Sequence, residues 1–176
     1  NFSEKNKRIK KNKKINILVL GGSQAAKIFA EQLPIIFRQC LADGIPIKVF
    51  QHCLPYQNDR LSLFYNNSNI DFEIFNFSNN LENYFSKVNL AITRAGSSML
   101  AELTNANIPF ISIPLPTSAD EHQLKNARFY ERKNFSFLIE EKELDSKLFL
   151  LLKDIDKNYS ILSKIASNQR QYSDKN

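Results

Sequence analysis

Short apolar runs alternate with amphipathic stretches along nearly the whole of this chain. Six runs, rich in β-branched residues, have the length and composition of strands that are buried on both faces. No repeat and no hairpin-type turn separates them. The six runs comprise residues 15–20, 47–50, 70–75, 88–92, 109–115 and 135–139. This alternation predicts an α/β fold, a doubly wound parallel sheet of Rossmann-like form with helices on both faces.

Between these runs the apolar residues recur at helical spacing. The first helix is predicted from Ala25 to Leu41, and Gly44 follows as a typical helix stop. Further helices are predicted over residues 59–65, 79–87, from residue 97 onward, 120–133 and, in two segments, 145–172. Each helix would carry the chain back across the sheet to start the next parallel strand.

The positive charge of the chain is concentrated at its amino end. The net charge is +6 over 176 residues. Residues 1–14 hold seven Lys or Arg and one Glu, whereas the other 162 residues carry 17 basic and 17 acidic side chains. We therefore predict a basic linker or tail at residues 1–14 and one domain at residues 15–176. Because that domain is neutral overall, nucleic acid is not an expected partner.

The sequence contains no apolar run of the 18 or so residues that span a bilayer, and its amino end lacks the apolar core of a signal peptide. The expected location is cytoplasmic. Cys40 falls on the apolar side of the first predicted helix, and Cys53 follows the second strand. With no CxxC and no Cys/His cluster, both are expected to be reduced structural thiols, and no metal site is predicted.

The stretch from Thr93 to Leu103 reads as a strand end, a tight loop and a helix start. The first amides of a helix lack internal acceptors and lie at the positive end of its dipole, so Gly96, Ser97 and Ser98 would stabilise a phosphate. Glu102 lies about one turn further along. A carboxylate there would accept hydrogen bonds from uncharged groups such as sugar hydroxyls. The alternative is that a serine merely caps the helix.

In a doubly wound sheet, ligands bind outside the carboxyl ends of the strands. Five polar or glycine-containing stretches are predicted to converge at that edge: Gly21–Gln24, Gln51–Cys53, Phe77–Asn79, Arg94–Ser98 and Pro116–Asn126. Two of them are glycine–serine turns at helix starts, an arrangement that suits a diphosphate better than a single charge.

Several nucleotide-binding patterns are excluded. The first turn, Gly21 to Ala26, is not the G-x-G-x-x-G of dinucleotide enzymes, and the second strand ends in Gln51-His52 rather than in an acid. No G-K-[ST] follows a strand, so a P-loop is excluded as well. The sequence also lacks a nucleophile elbow and an evident pair of metal-binding carboxylates.

Three blocks of sequence, taken together, resemble a known family. They are Gly21-Gly22-Ser23-Gln24, Thr93 to Leu103 and Asp120 to Ala127. Their order and spacing resemble the MurG family of bacterial UDP-N-acetylglucosamine (UDP-GlcNAc) transferases over about residues 15–170. The match covers the carboxyl-terminal, donor-binding half of a two-domain GT-B glycosyltransferase, which implies an amino-terminal acceptor domain outside this chain.

The resemblance implies a site for UDP-GlcNAc. Ser23, beside Gln24, would bind the diphosphate from a helix N-terminus, and Arg94 with the loop through Gly96 and Ser97 would hold the phosphates and approach the sugar. The other implied contacts are the backbone of Ser78 with the uracil edge, Glu102 with the ribose hydroxyls, and Gln123 and Asn126 with the GlcNAc hydroxyls. No cofactor is implied.

The implied reaction is an inverting transfer of GlcNAc to lipid I, which forms lipid II in peptidoglycan synthesis. The resemblance also implies peripheral association with the inner face of the cell membrane and contact with lipid I through the missing domain. We find no candidate general base, and in the family it lies in the amino-terminal half. This chain alone is therefore expected to bind donor and turn over little.

The sequence departs from the family pattern at three places. Ala25 stands where the family has a glycine, Gln51-His52 transposes the usual His-Gln pair, and His122 replaces a common glutamine. Three alternatives stay open at this point: a separately encoded donor-binding subunit of a two-subunit GlcNAc transferase, a GT-B-like UDP-GlcNAc 2-epimerase, and a nucleotide-binding scaffold with a decayed site.

Overall fold

Six parallel strands form one sheet in the computed structural model, which describes residues 13–22, 25–77 and 79–175, without the side chains of residues 25 and 26. The strand order is β3-β2-β1-β4-β5-β6, and every neighbouring pair is parallel. The strands are β1 (Ile15–Leu20), β2 (Ile47–His52), β3 (Asp71–Phe75), β4 (Leu90–Thr93), β5 (Phe110–Ser112) and β6 (Ser136–Leu138).

Helices connect the strands and cover both faces of the sheet. Within the described residues they are α1 (Ala25–Ala42), α2 (Asn58–Asn67), α3 (Glu82–Phe85), α4 (Ser97–Asn105), α5 (His122–Arg132), α6 (Leu144–Lys157) and α7 (Ser160–Ser173). Short 3-10 turns at Pro55–Gln57, Ala119–Glu121 and Glu141–Glu143 precede α2, α5 and α6. The predicted doubly wound parallel sheet is confirmed.

Two apolar layers hold the sheet, one on each face. Successive side chains of a strand point to opposite faces, so Ile17 and Val19 pack with α1, α2 and α6, whereas Leu18 and Leu20 pack with α3, α4 and α5. Because both faces are covered, β1 is apolar along most of its length, the pattern typical of a central parallel strand.

Both cysteines are buried and unpaired, in agreement with the prediction that they are reduced structural thiols. Cys40 lies on the buried side of α1, where burial and the nearby Asp43 raise the pKa of its thiol to about 12. The thiol is therefore protonated at neutral pH and packs as a small apolar group.

Two predicted elements are shorter in the structure. The run at residues 109–115 pairs as a strand only over Phe110–Ser112, because Pro114 has no amide hydrogen with which to continue the ladder. The predicted helix at residues 79–87 is a single turn, Glu82–Phe85. Asparagine and serine flank that turn, and their side chains favour turns over helix interiors.

The prediction that Asp120 begins a helix is wrong. Asp120 and Glu121 adopt the left-handed conformation, with φ of 51° and 53°, and the helix begins at His122. Neither residue is a glycine, so each strains the backbone by roughly 1–2 kcal/mol. This strain lies in the loop that leads from β5 into α5.

We expect Glu121→Gly to stabilise the protein by about 1 kcal/mol, because glycine adopts the left-handed conformation without a steric penalty. Urea unfolding measures the change. Arg128→Gly is the matched control in the regular part of α5, where glycine should instead destabilise by about 1 kcal/mol. A loss of stability with Glu121→Gly would show that the left-handed conformation carries no strain there.

Candidate functional site

A cavity of about 410 Å³ opens at the carboxyl edge of the sheet, where the strand order reverses between β1 and β4. Reversal points of this kind are where doubly wound sheets bind ligands, since neighbouring connections leave in opposite directions. All five of the predicted stretches contribute to it. Its lining comprises Leu20, Gly21, Gly22, His52, Phe75, Phe77, Leu81, Thr93, Arg94, Gly96, Met99 and Gln123.

Two larger cavities lie elsewhere. One, of about 470 Å³, is a groove between α1 and α2, and the other, of about 710 Å³, runs beside β6. The loops that follow the strands at the reversal point line neither of these cavities. The cavity of about 410 Å³ is therefore the candidate site.

The glycine loops leave open space at this cavity. A Cβ atom built on Gly22 or on Gly96 would meet no atom within 4 Å among the described residues. A ligand can therefore approach the backbone closely at both places. The predicted contacts of Ser23, Gln24 and Ser78 lie outside the described residues, and they stay predictions.

The amino end of α4 presents free amides to the same cavity. Gly96 is the N-cap, in an extended conformation, and its carbonyl accepts the first helical bond from the Leu100 amide at 3.1 Å. Within the described residues no side chain caps this helix. Ser97 and Ser98 are exposed rather than folded back as caps. The helix start thus has the chemistry of an anion site.

Glu102 lies on α4, one turn and a half after Gly96, and its side chain is exposed. It takes part in none of the ion pairs of the described residues. Its carboxylate is therefore free to accept hydrogen bonds. Glu102 is not among the residues that line the cavity, and its contact with ribose hydroxyls stays a prediction.

Gln123 and Asn126 lie one turn apart on α5 and hold the loop that leads into α4. The side-chain oxygen of Gln123 accepts hydrogen bonds from the Ala95 amide at 3.1 Å and the Leu115 amide at 2.9 Å. The side-chain amide of Asn126 donates to the Ala95 carbonyl at 3.0 Å. This differs from the predicted roles, since both side chains bind backbone. Only Gln123 lines the cavity, and its amide nitrogen is the group left for a ligand.

Arg94 is 7% exposed, and its guanidinium has protein partners. One terminal nitrogen lies 2.6 Å from a Glu141 carboxylate oxygen and donates to the carbonyls of Ile113 and Pro114 at 3.2 and 3.3 Å. The guanidinium carbon lies 5.0 Å from the centre of the Phe29 ring. These contacts brace β4, β5 and the turn before α6. Nε and the other terminal nitrogen are buried without a hydrogen-bond partner among the described residues, and Arg94 lines the cavity, so its contact with phosphate stays a prediction.

We expect Glu141→Ala to destabilise the protein by roughly 3–5 kcal/mol, because it leaves the charge of Arg94 buried without its partner. Urea unfolding measures the loss. Glu140→Ala is the matched control, since Glu140 is 4.0 Å from Lys142 at the surface, and its loss should cost under about 0.5 kcal/mol. Equal losses for the two variants would contradict the bracing role.

His52 and Phe77 line the other end of the cavity. The transposed pair is divided between the two faces of β2: Gln51 is fully buried and bonded to the Tyr65 hydroxyl, whereas His52 faces the cavity. The Nε2 of His52 is 2.8 Å from the Asn76 carbonyl oxygen, which can only accept, so Nε2 carries the hydrogen. Phe77 is 78% exposed, the largest exposure of any large apolar side chain described here.

Sequence reasoning placed Phe77 in a converging stretch but gave it no role, and it missed Asn76 and Glu141. Phe77 carried a usable signal, since it is an aromatic residue directly after a strand and within a predicted site loop. Asn76 and Glu141 carried none, because their partners are distant in sequence.

Two further observations concern metal binding and membrane-spanning helices. Within residues 13–22, 25–77 and 79–175, no three His, Cys, Asp or Glu side chains are grouped so that they could hold a metal ion. Of the helices described in those ranges, none combines the length and apolarity that crossing a bilayer requires.

The fold and the site together define the class. A six-stranded parallel sheet with an open glycine loop and an uncapped helix start at its reversal point has the architecture of one half of a GT-B glycosyltransferase. The solved structure of Acinetobacter baumannii MurG superposes on this chain with a TM-score of 0.80 at 25% identity, covering 94% of this chain and 48% of that one.

The family follows from the sequence comparisons. The model of the glycosyltransferase family 28 C-terminal domain matches residues 16–175, so the chain belongs to that family. A relative from Pelagibacter ubique is 40% identical over 152 residues, which is 85% of this chain and 42% of the relative. One from Rickettsia bellii is 30% identical over 161 residues, 90% of this chain and 45% of the relative.

Both relatives are named UDP-N-acetylglucosamine–N-acetylmuramyl-(pentapeptide) pyrophosphoryl-undecaprenol N-acetylglucosamine transferase. The resemblance to the MurG family is confirmed. The chain spans less than half the length of these curated relatives.

Proposed function

We propose that this chain binds UDP-GlcNAc as the donor half of an inverting glycosyltransferase that transfers GlcNAc to lipid I and so forms lipid II. The observation that carries the proposal is the cavity at the reversal point, where an open glycine loop and an uncapped helix start meet. The names of the family 28 relatives support the same donor and reaction.

The diphosphate of the donor would lie between the Gly21-Gly22 loop and the start of α4. As the bond to the sugar breaks, negative charge grows on the departing UDP. Amides that already point at this position stabilise that charge without reorganising, the kind of assistance that often dominates catalysis. The free amides of Ser97 and Ser98 would supply it, together with the dipole of α4.

The remaining parts of the donor have matching groups around the cavity. The exposed ring of Phe77 offers a stacking surface for the uracil base. The carboxylate of Glu102 would accept the two ribose hydroxyls. The amide nitrogen of Gln123, whose oxygen is already bonded to Ala95 and Leu115, would donate to a sugar hydroxyl.

The acceptor half of the reaction would be supplied outside this chain. A general base must take the proton of the attacking hydroxyl. The two histidines offer no such base at the cavity: the unbonded ring nitrogen of His52, Nδ1, is buried, and His122 does not line the cavity. We propose that the base, the contact with lipid I and the membrane-binding surface belong to the missing amino-terminal half. The net positive charge of residues 1–14 would then attract anionic lipid at the inner membrane surface.

Titration calorimetry with UDP-GlcNAc, UDP, UDP-glucose and ADP tests the proposal. We expect UDP and UDP-GlcNAc to bind, with UDP-glucose weaker than UDP-GlcNAc by roughly tenfold, the effect of one or two lost hydrogen bonds. ADP serves as the nucleotide control. If neither UDP nor UDP-GlcNAc binds, the donor-site assignment is wrong. Release of ManNAc from UDP-GlcNAc alone would instead identify an epimerase.

We expect Glu102→Ala to weaken UDP binding by roughly 1–3 kcal/mol, or about 5- to 150-fold, because the ribose hydroxyls lose their acceptor. Glu131→Ala, which removes an exposed acid from α5 beside the separate cavity at β6, is the charge-matched control and should leave the affinity unchanged. An unchanged dissociation constant for Glu102→Ala would refute the ribose role.

A further inference from the structure

A network of side-chain amides joins the ends of β2 and β3. It lies behind the end of the cavity that His52 and Phe77 line. Asn58, the first residue of α2, and Asn76, the residue after β3, form a reciprocal pair. The Asn58 amide donates to the Asn76 side-chain oxygen at 2.9 Å, and the Asn76 amide donates back at 2.7 Å. Two parallel bonds fix the mutual orientation of the two side chains as well as their separation.

The same network uses the remaining polar groups of the pair. The Asn76 amide also donates to the Cys53 carbonyl at 2.9 Å, so both of its hydrogens are engaged. The Cys53 thiol donates to the Asn58 side-chain oxygen at 3.3 Å. Burial raises the pKa of this thiol, so it keeps its hydrogen at neutral pH. A network that is satisfied in this way is rigid and costly to disturb.

His52 and Phe77 line the end of the cavity where the base would lie, and Asn76 is connected to both of them. Its backbone carbonyl accepts the hydrogen bond of His52 Nε2 at 2.8 Å and so orients the imidazole ring. Its peptide bond leads directly to Phe77, whose exposed ring lines the cavity. Neither Asn58 nor Asn76 lines the cavity itself. Their effect on a ligand is therefore indirect.

We propose that Asn76, held by Asn58, is a positioning residue for the base of the donor nucleotide. Through the peptide bond to Phe77 and the hydrogen bond from His52, it fixes the surface on which the base would lie. Among the described residues it has no such connection to the glycine loop or to the start of α4, which would hold the diphosphate. This inference rests on the proposed function.

The test compares ligands that do and do not contain the base. In titration calorimetry, Asn76→Ala should weaken UDP binding roughly tenfold, since the base contacts become imprecise, while the affinity for inorganic pyrophosphate stays unchanged. Asn58→Ala should do the same, because it removes the partner and leaves Asn76 in place. The double variant should be no weaker than either single variant, since the two residues act as one unit.

Asn168→Ala is the matched control. Asn168 also ties a loop, donating to the Asn134 carbonyl at 3.1 Å, but it lies beside β6 rather than at this cavity, so UDP affinity should not change. Circular dichroism establishes that each variant is folded. Equal losses for UDP and pyrophosphate, additive losses for Asn58→Ala and Asn76→Ala, or no loss of UDP affinity in a folded variant would each overturn the positioning role. Failure of the unaltered chain to bind UDP would instead count against the proposed function.

Discussion

The parallel pairing of β1 with both β2 and β4 is the constraint on which the site depends. Leu20 pairs with Thr93, and along the same edge His52 pairs with Phe75. Four strands therefore end at the same level, and the loops that follow them emerge together. Because the strand order reverses between β1 and β4, those loops diverge and leave a crevice. The cavity is a consequence of topology before any particular side chain is considered.

Neutral amide side chains then fix the shape of the crevice. On one side, Gln123 and Asn126 bind both the amide and the carbonyl of Ala95, and so determine how the chain enters α4. On the other side, Asn58 and Asn76 join the ends of β2 and β3. Loops expose backbone groups that no ladder satisfies, and glutamine and asparagine can each donate and accept at once. These contacts order the loops through groups that carry no charge of their own.

The sequence was sufficient for the fold and for the edge at which the site lies. Apolar runs such as Ile15–Leu20 can only be buried strands, and parallel strands necessarily share their carboxyl edge. It was not sufficient for the partners of individual polar side chains. Nothing local shows that Arg94 pairs with Glu141, or that Asn58 pairs with Asn76, because those contacts exist only after the chain has folded. The left-handed Asp120 and Glu121 were missed for a related reason, since intrinsic helix propensity is overridden there by the geometry of the β5–α5 connection.

The enclosed guanidinium of Arg94 has a further consequence for recognition. Its charge is matched by Glu141 and held in place by the carbonyls of Ile113 and Pro114, so an anion in the cavity would meet peptide dipoles and a fixed guanidinium rather than a mobile cation. Affinity for such a ligand arises from the number and direction of fixed N–H groups, which ionic strength screens little. A pocket of this design selects by stereochemistry, and it would favour an anion of the right shape over one that merely carries more charge.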